Sequence, residues 1–144
     1  MANDESAKSP SLEKIRSQLT DVHGDLLITH KALLDYERAR YEKDKGPIKN
    51  SGEYLRLVIG DPWFAWLRQA SGLIAQVDEF ISSKKPAEVS EGEALLAASR
   101  ALFTPAEDGG EFQRAYMTAI KESPEVALAH AHWKLTLLRL DRNQ

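Results

Sequence analysis

The chain has no cysteine in its 144 residues, which excludes disulfides, thiolate metal sites and a cysteine nucleophile. That lack fits a reducing compartment, so a cytoplasmic location is the expectation. No stretch approaches the roughly 18 consecutive apolar residues of a membrane-crossing helix, and residues 1–10 have no apolar segment of the signal-peptide kind. Basic residues are not in excess either. With 19 Lys+Arg against 22 Asp+Glu the formal net charge is −3, whereas a nucleic-acid binder normally presents a basic face. Neither nucleic acid nor a membrane is therefore expected as a partner.

Catalytic signatures are missing as well. The sequence contains no Gly-x-Ser-x-Gly elbow, phosphate-cradling glycine loop, dinucleotide fingerprint or His-Glu-x-x-His pattern. Gly109 and Gly110 are adjacent, but Asp108 and Glu111 flank them and would repel a phosphate. No segment alternates with period two between turn residues, so strands are not expected.

What the chain does have is helical periodicity in an ordinary soluble composition of 42% apolar and 28% charged residues. One domain of this length hides roughly 68–70% of its unfolded surface, enough for a core without metals. Residues 1–10 read as a disordered polar tail, and residues 11–144 as one helical domain. A first helix is expected from Ser11, its N-cap, with Leu12, Ile15, Leu19, Val22 and Leu26 in a heptad stripe that His30, Leu33, Leu34 and Tyr41 continue. Arg38/Glu42 and Arg40/Asp44 stand one turn apart at its charged end, and Gly46-Pro47 stops it.

The second helix carries a Gly60-Asp61-Pro62 interruption where a kink or a restart is expected, with Asp61 as N-cap and Pro62 at the first helical position. Beyond it Trp63, Trp66, Ala70, Leu73, Val77 and Phe80 form the cleanest core stripe in the chain. Ser90 and Glu93 have capping-box spacing before a third helix, which Thr104-Pro105 and Asp108-Gly109-Gly110 break. Ser123-Pro124 opens a last helix with Val126, His130, Trp133, Leu137 and Leu140. The expected fold is all-α: an up-and-down four-helix bundle with a kinked second helix and a broken third helix.

Two constellations are candidate sites. The first is the aromatic cluster at the interruption. Trp63, Phe64 and Trp66 could wall a pocket with Asp61 and Arg68 as polar handles, or could simply fill the core. Phe64 falls off the 63/66/70/73 stripe, so it is expected at the surface, where it would mark a homodimer or protein-partner interface. The second is a cross-helix metal site using His30, His130 and Glu37, which would make the protein a bundle metalloprotein or oxidoreductase. His23 and His30 cannot chelate one ion, because seven residues span about 10.5 Å of helix. No cofactor is expected from any motif, and the expectation leans away from an enzyme.

The segment Leu57-Val58-Ile59-Gly60-Asp61-Pro62-Trp63-Phe64-Ala65-Trp66-Leu67-Arg68, together with Asp35-Tyr36-Glu37, resembles a set of small uncharacterised bacterial all-helical proteins. The resemblance covers about a third of the chain. It implies a bacterial, cytoplasmic setting and carries over no catalytic residue. The combined expectation is a non-enzymatic module that binds a protein or a small ligand.

Overall fold

The computed structural model describes the backbone of residues 2–142 and the side chains of residues 11–142. The side chains of the tail expected over 1–10 lie outside the described residues, and Ser11, expected as an N-cap, lies inside the first helix. In chain order the helices are α1 (Ala2–Lys45), α2 (Ser51–Gly60), a 3-10 segment (Pro62–Leu67), α3 (Arg68–Ser82), α4 (Val89–Leu102), α5 (Glu111–Glu122) and α6 (Pro124–Arg142). The described residues contain no strand, so the fold is all-α. They form six α-helices where four were expected, because both predicted interruptions separate their helices completely.

α1 is the spine. It packs against α3, α4 and α6, while α5 covers α6 and the 3-10 segment. α6 runs antiparallel to α1: Asp21 pairs with Arg139 and Asp25 with His132, while Tyr36 bonds Glu122 at the end of α5, just ahead of α6. The heptad positions Ile15, Leu19, Val22, Leu26 and Leu33 are buried, and burying each such side chain contributes about 1.5–3 kcal/mol. From the rest of the chain Val77, Phe103, Phe112, Tyr116, Val126 and Trp133 join the same core.

Helix ends follow the expected chemistry in most places. Gly46 has φ +100°, the left-handed conformation that a glycine adopts most cheaply, and its N–H bonds Glu42 O at 2.9 Å. The Ser123 hydroxyl accepts from Val126 N at 3.2 Å ahead of Pro124. The Ser90/Glu93 capping box does not form. α4 begins at Val89, with Glu88 as its N-cap residue, because the Glu88 carbonyl already accepts from Glu91 N and Gly92 N. Ser90 is therefore inside the helix.

Gly92 has a different task. A Cβ at this position would lie 2.8 Å from Ile15 Cγ1 and 2.9 Å from Phe80 Cζ. The missing side chain lets α4 sit directly on α1 and α3.

The Asp61 break shapes everything that follows. Asp61 N still bonds Leu57 O at 2.9 Å and closes α2. Its Oδ1 accepts from Trp63 N at 2.8 Å and caps the next segment, with Pro62 at the first position. The chain restarts as a 3-10 helix of three residues per turn. Residues 64 and 67 are thereby eclipsed, and it is Phe64 and Leu67 that point into the core. The stripe read as 63/66/70 is in fact 64/67/70, and Ala70, Leu73, Val77 and Phe80 continue it in α3.

An aromatic groove as the candidate functional site

The register shift leaves Trp63 and Trp66 half-buried. With Tyr36, Glu37 and Arg40 of α1 and Ala115 and Thr118 of α5, they line an open groove of about 420 Å³. Trp66 packs its ring on Phe112 at 5.3 Å, and Trp63 packs edge-on against Tyr41 at 5.5 Å. Each indole thus has one side in the core and another at the groove.

Glu37 organises the floor. Its side chain is only 3% exposed, and burying a carboxylate demands compensation. Arg40 Nη1 donates to Oε1 at 2.5 Å and Trp66 Nε1 donates to Oε2 at 3.2 Å. The hydrogen bond to Glu37 raises the Arg40 guanidinium above its ordinary value, so it is a fixed cation. That cation also lies 5.5 Å from the ring centroids of Tyr36 and Trp63, contacts worth about 0.5–1 kcal/mol each at a half-exposed site. The Tyr36 hydroxyl donates to Glu122 Oε2 at the C-terminal end of α5. Burial first, and that bond second, push the phenol well above its ordinary range, so it stays protonated. The lining therefore offers aromatic surface, a permanent cation and a carboxylate already engaged by two donors.

The predicted site residues divide in two. Trp63 and Trp66 meet at the groove. Asp61 acts as the helix cap, and Arg68 is exposed, outside the groove lining, with its Nη2 on the Asp61 backbone carbonyl at 2.9 Å. The two form a local clasp, and the carboxylate takes no part in it. Phe64 corrects the expectation of an exposed partner residue. It is fully buried, 5.9 Å from the Tyr41 ring and 6.1 Å from that of Tyr54.

The structure does not bring together the proposed metal ligands. Glu37 serves Arg40 and Trp66, His30 Nε2 meets Ser71 Oγ at 2.8 Å, and His130 Nδ1 meets Tyr116 Oη at 2.7 Å. Among the described residues no group of three His, Asp or Glu side chains is placed to hold a metal ion. Ser71 Oγ also lies 3.2 Å from Leu67 O, so the Ser71–His30 contact works as a link between α1 and α3.

Tyr36 and Arg40 were missed as site residues. Their signal was present, since 36, 37 and 40 share one face of the charged end of helix 1, but Arg40 was assigned to Asp44. The structure gives it to the buried Glu37 instead, because a carboxylate that has lost water attracts a cation more strongly than an exposed one. Ala115 and Thr118 carry no sequence signal for the groove. No family model, curated protein or solved structure matches the chain.

Proposed function

We propose that this protein is a non-enzymatic binding module whose working site is the Tyr36/Arg40/Trp63/Trp66 groove, and that its ligand is a small planar molecule. The observation that carries the reading is the pair of half-buried indoles beside a cation fixed by a buried carboxylate. Planar ligands gain from stacking on such rings. Arg40, half exposed beyond its bond to Glu37, is available to an anionic substituent.

The six helices are compatible with a bundle of four rods: α1, then α2 with α3, then α4 with α5, then α6. The resemblance in the Gly-Asp-Pro-Trp-Phe segment supports a bacterial, cytoplasmic setting for the same module. No helix among the described residues is long and apolar enough to cross a membrane. A homodimer or protein interface through Phe64 is withdrawn, since that ring is inside.

Ligand-observed NMR against a panel of planar aromatic carboxylates tests the proposal, with Ala115→Trp as the control. That variant adds an indole at the groove wall, where Ala115 is only partly buried. Binding by the parent chain that disappears in Ala115→Trp, with the circular dichroism unchanged, is the expected result. Binding that survives the blocked groove, or none from any planar compound, would overturn it.

A further inference from the structure

α6 carries two apolar stripes. Val126, Trp133 and Leu140 face the core and are buried. Leu128, Leu135 and Leu138 face away from it and are 73%, 64% and 52% exposed. With exposed Ala131 between them the outer set runs 128, 131, 135, 138, a 3-4-3 spacing that matches the a/d seam of a coiled coil. A helix in a folded monomer needs one such stripe. A cavity of about 370 Å³ opens beside the seam, where Ile28 and Ala32 of α1 meet Leu128 and His132.

The charges beside the seam say what covers it. Glu125, His132 and Arg139 follow one another at seven-residue intervals along its α1 side, the flanking position that meets its own equivalent when two helices pack antiparallel. Glu125 and Arg139 lie about 21 Å apart, equidistant from His132. An antiparallel copy therefore sets the Glu125 of each chain against the Arg139 of the other. A parallel copy would instead set Lys134 against Arg139. Asp21 holds Arg139 Nη2 at 3.2 Å, which aims the side chain along this flank and engages one arm of a five-donor fork. The like-charge meeting in the antiparallel arrangement is Lys134 with its own copy. It lies on the opposite, solvent flank of the seam.

We propose that the outer face of α6 is a self-association surface on which a second copy of this chain docks antiparallel, with Leu128 and Leu138 of one copy against Leu138 and Leu128 of the other. The contact is isologous and closes as a two-fold dimer. It uses a different face from the groove, whose lining contains no residue of α6.

Sedimentation velocity from about 10 μM to 1 mM, spanning weak to moderate affinities, reads the association. The parent chain is expected to dimerise with rising concentration, and Leu135→Glu to weaken this at least about tenfold without loss of helical signal. Glu125→Arg and Arg139→Glu should each weaken the dimer, and the double exchange should restore it.

Because the chain has no cysteine, single cysteines give unique spin-label sites. Labels at Ala131→Cys are expected within about 15 Å of each other, and labels at Arg142→Cys, at the far end of α6, about 27 Å apart along the axis. Short separations at both positions would mean a parallel pair and overturn the proposal. So would a parent chain that stays monomeric throughout, whether or not it binds phosphatidylserine vesicles, since vesicle binding would assign the face to a membrane surface. A dimer unaffected by Leu135→Glu would place the contact elsewhere and equally overturn it.

Discussion

Truncating Phe64 to alanine tests the geometry on which the groove depends. In a continuous α-helix carrying the stripe 63/66/70, position 64 faces solvent and the truncation costs next to nothing. In the 3-10 register Phe64 is fully buried between Tyr41 and Tyr54, and truncation removes a whole phenyl ring from the core. Such a change costs about 3–5 kcal/mol, part of it transfer and part the cavity left behind. The two ring contacts account for about 0.5–1.5 kcal/mol each beyond area burial. A domain of this size loses roughly 2–4 °C of Tm per kcal/mol. The expected drop is therefore on the order of 6–20 °C, read by circular dichroism, with a matching fall in the urea midpoint at unchanged slope. Phe64→Leu should recover more than half of the loss. The paired control is Trp63→Leu, at a half-buried site, where the cost is expected to be smaller than at Phe64. If Phe64→Ala costs less than about 1 kcal/mol, position 64 behaves as a surface site. The indoles would then point inward and the groove would not exist.

Gly92→Ala is expected to lower stability by about 1–3 kcal/mol through overpacking, since its Cβ would meet Ile15 and Phe80. Ile15→Val in that background should return part of the loss, which a double-mutant cycle in urea measures. Glu37→Ala leaves the Trp66 N–H and Arg40 without their acceptor and should cost about 1–3 kcal/mol, with a change in tryptophan emission. Glu37→Gln, which keeps an acceptor, should cost less. Burial holds His30 and His130 below their ordinary value of 6.5, so the folded state disfavours their protonation. A base with a lowered folded pKa destabilises the fold as pH falls from its unfolded value toward its folded one. Stability should therefore decline as pH drops below about 6.5, and His130→Gln should flatten that decline. An unchanged pH profile in His130→Gln would show that the Tyr116 hydroxyl does not depend on a neutral imidazole.

Much of the fold was readable because apolar spacing and helix stops are local. The α1 stripe, the Gly46 stop, the Asp61 cap with Pro62, and Ser123 before Pro124 all rest on residues within a few positions of one another. What the sequence concealed were choices between neighbours. After Pro62 the chain could continue with 3.6 residues per turn or tighten to three, and both bury a regular stripe. The tighter turn changes which aromatic is inside, so Phe64 and Trp63 exchange roles on a difference of about 20° per residue. The site inherited this ambiguity. Trp63 and Trp66 were found, but their partners Tyr36 and Arg40 come from 23 to 30 positions upstream, where no local pattern announces them. Likewise Glu37 reads as one more charge in a solvated run until α1 and the 3-10 segment close over it.

The two proposed surfaces differ in how firmly the fold commits their residues, and that difference bears on how each would respond to change. At the groove, the charged and phenolic side chains already have intramolecular partners: Glu37 with Arg40 and Trp66, Tyr36 with Glu122. Such a site is held in place before anything binds, so little conformational entropy is lost on occupancy. Altering one member disturbs the others, and effects there will be coupled and non-additive. Along the outer face of α6 the leucines are exposed and touch solvent more than protein. Substitutions there leave the monomer intact and act on association alone. A single chain carrying Phe64 in its core, its indoles at a pre-set groove and its spare leucines on α6 can thus vary its self-association without disturbing its binding site. Leu135→Glu should weaken the dimer at least about tenfold while leaving any planar ligand's affinity for the groove unchanged within about twofold, a separation of less than 0.5 kcal/mol.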